Sequence, residues 1–348
     1  MVKKKLIVFS AGGTGGHVFP AISLSRYLNK NIYNSFFLTD ERCEFILKKN
    51  KLSYKKIDAG TFSKKKIFWF QQFFKIIRGL ITCLFYFIKE KPNLVIGFGG
   101  YVSFPAIISA KLLGIKIIIH EQNCVMGRAN RVLSKFADFT ALNYRNTKYA
   151  PKKNILVTGI PVRKDFFKKK SVDHSYNYKK ILIIGGSQGA KIFSSLIPNI
   201  IMKLSKKDIK KLEIIQQAPN NDIIKIKNIF KEMEVKFKVK KFFHNIADEM
   251  RICDIIISRC GASTLAEIEI CKKKSILFPL SDAKDNHQVL NAEEFSKYNQ
   301  CIVIDEKNIN DMKILDSIRS IIHQKSLNKE TKRLRNKTDL QNLIERII

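Results

Sequence analysis

The chain has 348 residues, 45% of them hydrophobic, which suffices for two domains with cores of their own. Seven cysteines, at 43, 83, 124, 253, 260, 271 and 301, are odd in number, scattered and without a C-x-x-C pair; that excludes a disulfide framework or zinc site and fits a reducing compartment. The net charge of +34 is spread along the chain rather than gathered in an arm, so it reads as compositional drift with general attraction to anionic surfaces, not as a specific nucleic-acid interface.

Met1-Val2-Lys3-Lys4-Lys5 is basic, but the apolar run behind it is too short for a signal peptide. That run, Leu6–Phe9, reads as a buried strand. Ala11-Gly12-Gly13-Thr14-Gly15-Gly16-His17-Val18-Phe19-Pro20 then turns into a helix expected from about Pro20, a residue tolerated in a first turn. Four glycines on a strand-to-helix turn let the backbone approach a ligand, and the helix N-terminus suits an anion. The spacing is neither G-x-G-x-x-G nor a P-loop. His17 adds a titratable group at the turn.

A strand is expected at residues 35–39, and Asp40-Glu41-Arg42 begins a helix. Residues 64–89 hold the only tryptophan, Trp69, and many phenylalanines. Lys64, Lys65 and Lys66 precede them, and Gln71, Gln72, Lys75 and Arg78 interrupt them, so no apolar run reaches the ~18–20 residues of a membrane span. Basic flanks with bulky aromatics suit a helix lying in a membrane interface; the alternative is a helix covering a sheet.

Residues 93–101 form a strand running into a second glycine turn, Gly99-Gly100-Tyr101, and residues 116–123 a strand ending in His120-Glu121-Gln122-Asn123. Ligands of open parallel sheets bind beyond the C-terminal strand ends, so these polar side chains are site candidates. Short strands follow at 139–142 and 155–158, and Gly159–Arg163 reads as a linker. Then the plan repeats. Ile181–Ile184 is a strand, Gly185–Ala190 a glycine turn and a helix follows to about Lys203; further strands are expected near 213–216, 254–258, 275–279 and 301–304. The alternation gives two α/β lobes with parallel sheets. A lysine-rich helix is expected from about Leu327.

After the strand at 254–258, Ala262–Glu267 opens a helix. Ser263 and Thr264 stand at its positive end, where a diphosphate is stabilised, and Glu267 lies one turn on along the same face, suited to ribose hydroxyls. A capping box fits the same spacing. Asp285-Asn286-His287-Gln288 opens another helix; side-chain amides there can read sugar hydroxyls, whereas Asp285 reads as an N-cap and His287 as solvated.

These motifs resemble the MurG family of bacterial glycosyltransferases, in order and over nearly the whole chain. The matching residues are Gly12–His17 with Pro20, Gly99–Ser103, His120–Asn123, Gly159-x-Pro161-Val162-Arg163, Gly185–Ala190 and Asp285-x-x-Gln288-x-x-Asn291-Ala292. The resemblance implies a GT-B fold, two Rossmann-like lobes with a cleft between them. The N-terminal lobe would span 1–160 with a C-terminal helix near 333–348 packed back on it; the donor lobe would span 161–332. It implies transfer of N-acetylglucosamine, with inversion, from UDP to the 4-hydroxyl of the muramyl sugar of lipid I, giving lipid II for cell-wall biogenesis.

Carried over residue by residue, the donor positions are Thr14, Gly15, Gly16, Asn123, Arg163, Ser187, Phe243, Ala262, Ser263, Thr264, Leu265, Ala266, Glu267 and Gln288. Tyr101 and Asn130 match acceptor positions. His17 is the first choice for general base and Glu121 its rival. Ile160, Cys260, Ser263, Phe243, Ala218 and Pro219 depart from the family pattern. Beyond the substrate UDP-N-acetylglucosamine, no cofactor and no tightly bound metal is expected, since no Asp-x-Asp motif occurs. The implied partners are undecaprenyl-linked lipid I and the anionic cytoplasmic face of the inner membrane, held peripherally, with other cell-wall enzymes left open. An oxidoreductase lacks its glycine fingerprint here and a nucleic-acid binder its basic arm. A UDP-sugar epimerase of the same fold remains the near rival.

Overall fold

The computed structural model describes residues 4–60, 69–168, 178–185, 190–281, 283–323 and 339–348. The first unit runs through β1 (Lys5–Ser10), α1 (Gly15–Tyr27), β2 (Tyr33–Thr39), α2 (Glu41–Lys49), β3 (Tyr54–Lys56), α3 (Trp69–Glu90), β4 (Leu94–Gly97), α4 (Ser103–Leu112), β5 (Lys116–Glu121), α5 (Arg128–Leu133), β6 (Phe139–Leu142) and β7 (Ile155–Val157). Its seven strands are ordered β3-β2-β1-β4-β5-β6-β7, all parallel. The centre is built from runs such as Leu6-Ile7-Val8-Phe9 because helices cover both faces, so neither face needs polar alternation.

The second unit runs through β8 (Lys179–Ile184), α6 (Phe193–Met202), α7 (Lys206–Ile209), β9 (Leu212–Gln217), α8 (Ile223–Glu232), β10 (Lys236–Lys240), α9 (Ile246–Ile252), β11 (Ile255–Arg259), α10 (Ala262–Cys271), β12 (Lys274–Phe278), α11 (His287–Ser296), β13 (Cys301–Val303) and α12 (Asp311–His323). Its order is β10-β9-β8-β11-β12-β13, again all parallel. In both sheets the first strand of the unit lies inside, and the chain reverses its direction of winding beside it. That is the doubly wound plan whose ligand sites lie at the strand C-termini.

Contacts divide the chain after Lys164, with the described residues 339–348 joining the first unit. Helix α13 (Asp339–Ile347) buries Leu340, Leu343 and Ile344 with Ile7, Val18 and Ile22 of that unit's core. Residues 162–164 stay with the first unit because α1 holds them: Tyr27 Oη donates to Val162 O, and Arg163 and Lys164 lie over the Phe19 and Tyr27 rings.

Helix α1 starts at Gly15 with Thr14 as N-cap, earlier than the proline suggests, so Pro20 is an interior residue. Asp285 is no N-cap: it and Asn286 both have positive φ, and Asn286 holds the cap position of α11. The helix expected from about Leu327 is described only from Asp339.

Candidate active site

The end of β2 builds the first glycine turn. Leu38 O accepts from Ala11 N, Thr39 Oγ1 donates to Ala11 O at 2.8 Å, and the Asp40 carboxylate accepts from Gly13 N. Gly13 has φ +81°, a conformation strained for any side chain. The turn thereby places His17 in the first turn of α1, half-buried. Its Nδ1 lies 2.9 Å from Gly12 O. A carbonyl only accepts, so Nδ1 carries the proton, and Nε2 holds the lone pair of the neutral ring. The imidazole packs on Gly99-Gly100, where a Cβ at Gly100 would come within 3.3 Å of Nδ1.

Beyond β5 a loop is organised by one carboxylate. Glu121 Oε1 accepts from Asn123 N and Nδ2, and Oε2 from Gly127 N at 2.9 Å and Asn130 Nδ2 at 2.8 Å. The residue is 2% exposed. A buried carboxylate engaged by donors at both oxygens holds a loop; it does not offer a lone pair to a substrate. Asn130 is also buried, and its amide serves Glu121 and His120 O.

His120 is fully buried between these groups, with Nε2 donating to Gly159 O and Nδ1 accepting from Gln122. Desolvation lowers it from 6.5 to about 4, only partly opposed by the Gly159 carbonyl. The unfolded chain therefore takes up a proton where the folded one does not. This stabilising contribution is complete above pH ~6.5 and is lost as pH falls toward ~4, about 3 kcal/mol over the window. Melting of the wild type is expected to fall more steeply between pH 7 and 4.5 than that of His120→Gln. Equal slopes would contradict this origin.

In the second unit, α10 begins at Ala262 after the N-cap Gly261. Its first intrahelical bond runs from Leu265 N to Gly261 O, so Ala262, Ser263 and Thr264 present the N–H groups of the first turn. Ser263, Thr264 and Glu267 share the partly exposed face, while Leu265, Ala266 and Ile268 are buried. Helix α11 clips the residue before the turn. Gln288 Oε1 accepts from Cys260 N at 3.2 Å and Leu280 N at 3.1 Å, and Asn291 Nδ2 donates to Cys260 O at 3.2 Å. The Gln288 carbonyl oxygen is thus fixed to backbone, which directs its NH2 group elsewhere. Arg259, at the end of β11, donates twice to Glu306, at 2.7 and 2.8 Å, and once to Phe278 O. Phe243, in the loop after β10, is buried with Lys238 near its ring. Among the described residues, no group of three or more His, Cys, Asp or Glu side chains is placed to hold a metal ion.

The models of the glycosyltransferase family 28 N-terminal and C-terminal domains match residues 7–142 and 180–347. A Rickettsia canadensis protein is 38% identical over 99% of this chain and 100% of its own length; one from Rickettsia bellii is 39% identical with the same coverage. Both are named UDP-N-acetylglucosamine–N-acetylmuramyl-(pentapeptide) pyrophosphoryl-undecaprenol N-acetylglucosamine transferase. This chain belongs to the MurG family of glycosyltransferases. The crystal structure of Acinetobacter baumannii MurG has the same fold, with TM-score 0.72 at 24% identity, covering 99% of this chain and 94% of that one. A Neisseria meningitidis UDP-GlcNAc 2-epimerase also shares it, with TM-score 0.66 at 14% identity over 98% of this chain and 99% of its own, a likeness of fold alone.

Within this GT-B enzyme, the residues the family motifs single out fall into distinct settings. Thr14, Gly15, Gly16, His17 and Tyr101 gather at the two glycine turns of the first unit. Asn123 follows β5 with both its N–H groups on Glu121, and Arg163 lies over Phe19. Of the stretch 262–267, the side chains of Leu265 and Ala266 face the interior, so Ser263, Thr264 and Glu267 carry its exposed chemistry. The capping-box alternative for Glu267 fails: the N-cap is Gly261, and Thr264 lies inside the helix. Ser187 lies outside the described residues. Asp40 was not legible as a residue that holds the first glycine turn, and Arg259, a charge ending an apolar strand, is engaged by Glu306 and Phe278 O.

Proposed function

We propose that the chain transfers N-acetylglucosamine from UDP-N-acetylglucosamine to the 4-hydroxyl of the muramyl sugar of lipid I, with inversion. The observation that carries this reading is near-full-length identity of 38–39% to relatives named for that transfer. In one displacement the acceptor oxygen forms a bond to the anomeric carbon as the bond to UDP breaks, and UDP leaves with the electron pair. The acceptor proton passes to His17 Nε2, the ring nitrogen left unprotonated by the Gly12 contact. Glu121 and Asn130 hold the loop beside it rather than acting on substrate. The leaving diphosphate gains charge at the N-terminus of α10, which stabilises it most in the transition state. Glu267 accepts from ribose, and the Gln288 NH2 group addresses the sugar.

The deciding experiment supplies labelled UDP-N-acetylglucosamine and a short-chain lipid I analogue after thorough chelation. Labelled lipid II supports both the transfer and its independence of metal. Activity that returns only with a divalent ion removes the second claim, and a 2-epimerised sugar nucleotide as sole product removes the first.

The acceptor's polyprenyl chain requires work at a bilayer surface, and α3 supports peripheral attachment. Gly79, Cys83 and Phe87 face the interior, and a ridge of Phe70, Phe74, Ile81, Phe85 and Ile88, with Phe73 beside it, is exposed. Lys75, Arg78 and Lys89 flank that ridge, exposed. Lys64–Lys66 lie outside the described residues. No described helix is long and apolar enough to cross a membrane. Apolar insertion with basic flanks attaches a helix to an anionic leaflet. Replacing Phe70, Phe74 and Phe85 with serine is expected to lower partition onto anionic vesicles by about 100-fold. Unchanged co-sedimentation would move attachment to another surface.

A further inference from the structure

The peptide group between Gly12 and Gly13 is engaged at both ends. Its carbonyl accepts from His17 Nδ1 at 2.9 Å, and its N–H points into the Asp40 carboxylate, 3.0 Å from Oδ2 and 3.1 Å from Oδ1. Asp40 stands at the N-cap of α2, where an aspartate ordinarily accepts from its own helix; here its side chain makes no capping bond. The carboxylate is turned toward the glycine turn instead, and its side chain is only 13% exposed. Arg42 donates Nε and Nη2 to Oδ2 from the solvent side, with its own side chain 59% exposed. Forgoing a cap worth about 1 kcal/mol needs a reason, and the Gly13 contact supplies one.

We propose that Asp40 is a positioning residue for His17, acting through the Gly12–Gly13 peptide; the proposal rests on the reading of His17 as general base. A carboxylate on the N–H end polarises the amide and strengthens the carbonyl oxygen as an acceptor. That fixes the Nδ1–H tautomer and leaves Nε2 as the base. When Nε2 takes the acceptor proton, the ring becomes an imidazolium whose Nδ1–H still points at the polarised carbonyl, so the charge is stabilised as it forms. No proton moves to Gly12 or Asp40. The logic is that of an acid orienting a catalytic histidine, with one peptide group inserted between them.

Asp40→Asn keeps an oxygen acceptor for Gly13 N and removes the charge. It is expected to lower kcat about 10-fold with the donor KM within about twofold. Arg42→Gln breaks the same ion pair but leaves the carboxylate on Gly13, and is expected to keep kcat. In a His17→Ala background, Asp40→Asn is expected to add nothing, because its effect passes through the ring. Wild-type turnover in Asp40→Asn, or an equal loss in the His17→Ala background, overturns the relay. Should Asp40 variants fail to fold, 15N NMR of the unaltered enzyme decides, with the His17 signal assigned by its loss in His17→Gln: an Nε2–H tautomer overturns the relay, an Nδ1–H tautomer supports it. If His17→Ala itself turns over normally, the base assignment falls; if it is impaired while Asp40→Asn is not, only the relay falls.

Discussion

His17→Ala is expected to lower turnover by roughly 100-fold or more, with the donor KM little changed. The substitution removes the imidazole and its contact with Gly12 O and leaves α10 unaltered. It also leaves both glycine turns held by their own bonds, Asp40 to Gly13 in one and Ser103 Oγ to Gly99 in the other. A fold defect is therefore not expected, and melting should confirm that. The alternative base, Glu121, is occupied by four N–H donors within its loop. Glu121→Gln would turn one acceptor into a donor facing donors, so its loss should show in stability and in kcat together. A near-normal turnover of His17→Ala over the whole pH range removes His17 from the base role.

The central strands were legible because burial on both faces leaves uninterrupted apolar runs, as in Ile181–Ile184 and Ile255–Ile257. Two edge strands, β7 and β13, were legible as short apolar runs, whereas the other two, β10 and β3, were not: they read Lys-Phe-Lys-Val-Lys and Tyr-Lys-Lys, because charge that guards an edge against further pairing leaves little apolar signal. The start of α1 was misplaced because glycine weakens helices locally, yet Gly15 and Gly16 are helical once the turn and sheet fix their neighbours. The exposed face of α10 followed from helical spacing alone, so Ser263, Thr264 and Glu267 were found together. Asp40 shows what spacing cannot give. Before a helix an aspartate reads as a cap, and only the parallel pairing of Ser10 with Leu38 brings it beside Gly13, 27 residues away in sequence.

Glu267→Ala is expected to raise the KM for UDP-N-acetylglucosamine roughly 10- to 100-fold, the equivalent of about 1.5–3 kcal/mol for hydrogen bonds to a charged group. Two features make the test clean. Glu267 sits in the second turn of α10 on the partly exposed face with Ser263 and Thr264, away from the buried Leu265, Ala266 and Ile268. The cap of that helix is Gly261, so truncating Glu267 removes no capping bond. The favourable position of a carboxylate near a helix N-terminus contributes at most about 1 kcal/mol of stability. A small change in melting with a large change in donor KM thus points to the ribose contact. Glu267→Gln, which retains one acceptor oxygen, should fall between the two. If the donor KM of Glu267→Ala equals that of the wild type while the protein remains folded, the carboxylate does not touch the donor, and the exposed face of α10 serves it through the hydroxyls and N–H groups of Ser263 and Thr264 alone.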